Sequence, residues 1–204
     1  MNFYPAGSPR PRASVVKVML LCSLLLLSAP AFGVIEAGRA SAGEDFKVTT
    51  VFLVRHAEKD TVPPGNPPLS EPGRKRAEAL ARALKDSGIK AIFTSHLLRT
   101  QQTAEPVGKL LGLAPVSIPL KMDPANPRRV SDESIREVVD KVHAHAGGAV
   151  LVVGHSDTVP EVIRMLGGSE VPSIDEKQFD DLFVVTVYEK GKAKVARLKY
   201  GFSD

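Results

Sequence analysis

The chain has 204 residues, 43% hydrophobic and 25% charged, which suits one globular domain with a real core and leaves little room for two. Its formal net charge of +4 sits mostly at the N-terminus, where Arg10, Arg12 and Lys17 precede any acidic residue. The rest of the chain is near neutral and lacks tryptophan, which argues against nucleic acid as a partner.

The three cations form a basic n-region, and Val18 to Leu27 follows as an apolar stretch. Ala29-Pro30-Ala31 then offers small residues at alternate positions, as a signal peptidase requires. Residues 1–31 are therefore expected to be a signal peptide, with cleavage as late as 42 at a second site, Ala40-Ser41-Ala42. The protein is expected to be exported, to the periplasm or the extracellular space, with no stable membrane insertion after cleavage. The alternative is an uncleaved anchor, since Ala31 to Ile35 prolongs the apolar stretch beyond Pro30. Cys22, the only cysteine, lies inside this segment, so a mature chain would have no disulfide and no cysteine nucleophile.

Residues 32–47 are small and polar and predict a flexible lead-in; residues 48–204 make the domain. Val48–Val54 predicts a buried strand, followed by a proline-rich connection over Thr61–Pro68. Ser70 caps a helix whose stripe is Ala77, Leu80, Ala81 and Leu84. A strand over Lys90–Thr94 and a helix near Arg99–Leu111 come next, the helix burying Ala104, Val107 and Leu111. Val116–Leu120 is a third strand. Ser131 caps a helix with an apolar face of Ile135, Val138, Val139, Val142 and Ala146. Ala149–Val153 is a strand, followed by Gly154-His155 and a helix to about Leu166. Leu182–Tyr188 and Lys194–Leu198 predict a closing hairpin. Strands alternating with helices give an α/β three-layer sandwich with a largely parallel central sheet flanked by helices.

Ligands of such sheets bind beyond the carboxyl ends of the strands. Arg55-His56 and Gly154-His155 each lie there. With Arg99, these residues make an anion site, because guanidinium forks match phosphate oxygens and stay charged at any biological pH. The surrounding positive charge is expected to keep His56 neutral and nucleophilic. His155, if protonated, can bond an equatorial phosphoryl oxygen, and the arginines can stabilise the transition-state charge.

Four stretches, "LVRHAEKD", "LSEPGRKRAEAL", "TSHLLRTQQTAEP" and "VVGHSDTVPEVI", together resemble the histidine phosphatase superfamily, phosphoglycerate mutase-like branch. The resemblance runs in order from about residue 49 to 165. It implies a phosphoglycerate mutase-like fold and a phosphohistidine intermediate on His56 that water later hydrolyses. It also implies a phosphate pocket completed by Arg55, Arg99 and His155, a small phosphorylated substrate, and no metal or organic cofactor.

Two departures matter. Ala57 stands where the branch often has glycine. The leaving-group acid is open between Glu58 and Asp157, each two residues from a pocket histidine, with Asp123 and Glu133 behind them. Asp157 could equally cap a helix. His143 and His145 face apart on their helix and read as structural. His96 could line the pocket rim, and Gly73 to Arg76 reads as a solvated helix face. The expected function is an exported phosphomonoesterase. A phosphomutase of the same family is the first alternative, disfavoured by the short segment between Leu120 and Ala149. A phosphate-binding protein that has lost catalysis is the second.

Overall fold

A computed structural model describes residues 47–201. The expected leader, and all of the lead-in but its last residue, lie outside the described residues. The element order is β1 (Thr49–Arg55), α1 (Glu71–Leu84), β2 (Ile89–Ser95), α2 (Leu98–Leu111), β3 (Val116–Ile118), β4 (Met122–Asp123), β5 (Asn126–Val130), α3 (Asp132–His143), β6 (Ala149–Gly154), α4 (Thr158–Met165), β7 (Asp181–Glu189) and β8 (Lys192–Lys199).

Six strands form one sheet in the order β3-β2-β6-β1-β7-β8. The first four are parallel, and β7 and β8 add an antiparallel edge. Side chains alternate between the two faces of a strand, and two separate cores follow from that period. Val51, Leu53, Val150 and Val152 pack with α3 and α4 through Ile135, Val139 and Val162. Val54, Leu151 and Val153 pack on the opposite face with α1 and α2 through Leu80, Leu84 and Val107. The α/β sandwich with a mostly parallel sheet is as the sequence predicts.

Several local expectations change. Strand β1 runs one residue further than expected, so Arg55 is itself a strand residue, paired with Gly154. The third strand stops at Ile118. A small hairpin, β4–β5, follows it and was not expected, because Asn126 to Arg129 are all exposed and show no alternation. Helix α3 ends at His143, which leaves Ala146 exposed in the turn beyond it. The proline-rich connection is a closed excursion: Lys59 bridges Leu69, and the Asp60 amide donates to the Pro68 carbonyl at 2.8 Å.

The start of α1 locks onto the end of that excursion. The Ser70 amide donates to the Glu58 carbonyl at 3.0 Å, and the Ser70 hydroxyl caps the helix at the Gly73 amide. Gly73 must lack a side chain, since a Cβ there would stand 2.0 Å from the Glu58 carbonyl oxygen. Arg76 is not solvated as expected. Its guanidinium holds the Glu58 carboxylate at 2.7 Å, and both side chains are largely covered. Arg74 and Lys75 on the same turn are exposed, as expected.

Candidate active site

Parallel pairing in register fixes the heart of the site. Arg55 lies beside Gly154, so His56 and His155 leave neighbouring strands at the same level. The His56 amide donates to the Gly154 carbonyl at 2.9 Å, and the two imidazole rings sit 5.3 Å apart. Gly154 is needed there, because a Cβ would stand 2.8 Å from the Thr158 hydroxyl. That hydroxyl accepts the His155 amide at 2.8 Å and turns the chain into α4.

Helix α2 brings Arg99 to the same edge, and two fully buried threonines hold it there. Thr103 donates to the Arg99 carbonyl at 2.7 Å and accepts the Ala57 amide at 2.9 Å. Thr100 meets Ser95 at 2.8 Å, and the Ser95 hydroxyl reaches His155 Nε2 at 3.0 Å. The threonines of "RTQQTA" therefore position the pocket's backbone and side chains.

His56 is 3% exposed. Its Nδ1 lies 2.8 Å from the Ala57 carbonyl. A carbonyl can only accept, so Nδ1 carries the hydrogen and Nε2 keeps its lone pair. Burial pushes the His56 pKa down to about 4, with Arg55, Arg99 and Lys59 adding to the shift and the Ala57 carbonyl opposing it. The sequence expectation of a neutral imidazole thus holds, but desolvation is the larger cause and positive charge the smaller. His155 is pushed down to about 3 by burial, then by His56 and the two arginines, so it is neutral in the free protein. A phosphate dianion placed beside it would favour its charged form.

Arg55 is 6% exposed and held from both sides. One Nη donates to the carbonyls of Asp175 at 2.6 Å and Gln178 at 3.2 Å, and the Phe179 ring stacks on the guanidinium at 4.3 Å. Arg99 is half-buried. The Nε groups of both arginines are buried and find no hydrogen-bond partner among the described residues. Burial lowers both pKa values from the ordinary guanidinium range, and both groups remain cations at biological pH.

Arg55, His56, Arg99, His155 and Asp157 line one cleft of about 580 Å³. The four acid candidates separate clearly. Glu58 is engaged by Arg76 and is absent from the cleft lining. Asp123 pairs with Arg129 and Glu133 with Lys121. Asp157 lines the cleft and also caps α4, with Oδ1 accepting the Thr158 amide at 2.8 Å. Of the two roles expected of Asp157, the helix cap is the one seen, and its place in the cleft lining sets it apart from the other three acids.

His143 and His145 stay apart from the site. His145 donates from Nδ1 to the Lys141 carbonyl and packs edge-on against Phe93. Among the described residues no three histidine, cysteine or acidic side chains gather as metal ligands. Sequence reasoning included Ser95 in a motif without giving it a role, and missed Phe179. Ser95 is the last residue of β2 and could have been found by that position; Phe179 lies in an irregular segment with no periodic signal.

The depressed histidines predict a pH dependence of stability. Their folded values, about 4 and about 3, lie below the ordinary 6.5, so the unfolded chain takes up protons first as pH falls. Stability is then full above pH 6.5 and drains away towards the folded values. Between pH 8 and pH 5 the unfolding free energy should drop by roughly 2 kcal/mol per histidine. Urea titrations at both pH values would check this, and His56→Ala should lose about half of the drop. A pH-independent difference between wild type and variant would contradict it.

Comparison with known proteins matches residues 51–125 to the family described as histidine phosphatase superfamily (branch 1). A curated relative, PE-PGRS family protein PE_PGRS11 of Mycobacterium tuberculosis, is 51% identical over 78 residues. The match covers 34% of this chain and only 13% of that protein's length. A phosphoglycerate mutase structure from Bacillus anthracis superposes with a TM-score of 0.59 at 19% identity, covering 76% of this chain and 94% of that one. The protein histidine phosphatase SixA, complexed with tungstate, superposes with a TM-score of 0.55 at 20% identity, covering 74% and 96%. At these identities the two structures show a shared fold.

Proposed function

The chain belongs to the histidine phosphatase superfamily through residues 51–125, and from that membership we propose that it is a phosphomonoesterase working through a phosphohistidine on His56. One observation carries the reading. The His56 ring has Nδ1 tied to a carbonyl and a neutral Nε2 beside Arg55, Arg99 and His155. Nε2 attacks phosphorus, and the bond to the leaving oxygen breaks. Arg55, Arg99 and His155 stabilise the charge on the equatorial oxygens through that transfer. Water then attacks the phosphorus, the P–N bond breaks, and phosphate leaves with His56 neutral again. Hydrolysis is favoured over transfer to a second hydroxyl because only the small β4–β5 hairpin stands between β3 and α3. The mechanism asks for no metal or organic cofactor.

Asp157 is the proposed proton donor to the leaving oxygen, and it takes the proton back from the attacking water. Its Oδ2 is the oxygen not used in capping α4. Asp157→Asn should slow alkyl phosphates far more than aryl phosphates, whose leaving groups depart unaided. Steady-state rates of phosphate release from both substrate types test this. Equal slowing on both would remove Asp157 from the acid role.

Export remains part of the proposal, supported by the basic and apolar pattern of residues 1–31. Expression with the leader should place the protein outside the cytoplasm, with a new N-terminus between Phe32 and Gly43. An intact Met1 form in the soluble cytoplasm would contradict export, and one in membranes would support anchoring.

A further inference from the structure

Beyond the phosphate pocket, the cleft has a second half with a different character. Leu97, Leu120, Met122 and Val130 line it, together with Lys59 and His96. These four aliphatic side chains come from the start of α2 and from the segment that ends in the β4–β5 hairpin. Met122 and Val130 are direct antiparallel partners, so their side chains stand on the same face of the hairpin. Both line the cleft.

The hairpin is held in place rather than merely resting there. Arg129 pairs with Asp123 and with Asp132. The Ser131 amide donates to the Lys121 carbonyl at 2.9 Å, and the Lys121 amide donates to the Ser134 hydroxyl at 2.8 Å. The Leu120 amide donates to His96 Nδ1 at 3.2 Å, which ties the segment back to the end of β2. An apolar part of the cleft lining is therefore held in place before any ligand arrives.

Among the described residues, the polar side chains that line the cleft outside the proposed phosphate and acid groups are Lys59, His96 and Ser156. A leaving group rich in hydroxyls would lose water against Leu97, Leu120, Met122 and Val130, which offer its hydroxyls no side-chain partner. Apolar carbon at the same place would be favoured by leaving water. Resting on the phosphatase reading, we infer that the β4–β5 hairpin is the leaving-group subsite and selects monophosphate esters of apolar alcohols over those of polyhydroxylated ones. The phosphoryl group enters the arginine–histidine pocket, and the alcohol's carbon chain lies along Leu97, Leu120, Met122 and Val130.

Binding of non-hydrolysable alkylphosphonates to the wild-type protein, followed by calorimetry, tests this without needing turnover. From methyl- to hexylphosphonate, affinity should rise about two- to fourfold per added methylene. Propylphosphonate should bind about tenfold more tightly than 2,3-dihydroxypropylphosphonate. Met122→Gln and Val130→Thr should each flatten the chain-length series. A flat series in the wild type, or tighter binding of the dihydroxy compound, overturns the subsite while leaving the phosphate pocket intact. Failure of every phosphonate to bind overturns the pocket itself and the subsite with it. A steep series that both variants preserve would place the chain elsewhere and refute the hairpin's role.

Discussion

Replacing His56 with alanine should lower kcat on an aryl phosphate by at least about 10⁴-fold, towards the limit of detection. The reason is the lack of a substitute. Residues 32–204 contain no cysteine, so no thiol can take over. Ser95 lies at the site but is committed to Thr100 and His155. Ser156 lines the cleft, where Asp157 is the one carboxylate among the described residues. The pocket that remains can still bind phosphate and polarise it, but cannot form the intermediate. The variant should stay folded, since His56 contributes one ring to the site and its amide bond to Gly154 is a backbone contact. Stopped assays with wild type and variant at matched folded concentration give the ratio directly, and a variant within tenfold of wild type would contradict the nucleophile assignment.

The arginines come next in size. Arg99→Ala should cost on the order of 10²- to 10³-fold in kcat/KM, the usual loss for one donor to a developing oxyanion charge. Arg55→Ala should cost at least as much, because Arg55 also carries structure. Its guanidinium joins β1 to the Asp175 and Gln178 carbonyls and to the Phe179 ring. Removing it strips acceptors of their donor as well as taking a cation from the phosphate. Lysine should rescue neither position fully, since a point charge cannot reproduce a planar fork. The two variants should differ in thermal stability: Arg55→Ala should melt lower than wild type and Arg99→Ala close to it. Equal melting temperatures with equal activity losses would deny Arg55 its second role.

The readable parts of the sequence are those set by short-range rules. Helix stripes such as Ala77, Leu80, Ala81 and Leu84 repeat with the helical period and are buried as that period requires. Arg55-His56 and Gly154-His155 announce themselves because each breaks an apolar run where a strand must end. The parallel register that joins them is a consequence of the sheet, and strand alternation alone puts both histidines at one edge. What stayed hidden depends on distant partners. Glu58 looks like a free acid beside His56, until Arg76 arrives from α1 to hold it. The β4–β5 hairpin has exposed residues on one strand and a proline in it, so neither alternation nor β-propensity marks it. Phe179 meets Arg55 across the irregular segment before β7, and nothing near it in the chain foretells that stack. The neutral state of His56 was legible in direction only, because burial, its main cause, is a property of the fold.

The central claim is a covalent bond between phosphorus and His56 Nε2. Rapid-quench mixing with ³²P-labelled aryl phosphate, followed by denaturation in base and peptide mapping, looks at that bond directly. Wild type should accumulate label within the first turnovers, on the peptide containing His56, stable in alkali and lost in acid. Asp157→Asn should still be labelled by the aryl substrate, and His56→Ala should carry none. Steady turnover by wild type with no acid-labile label at any quench time, or label that persists in His56→Ala, would contradict the phosphohistidine mechanism.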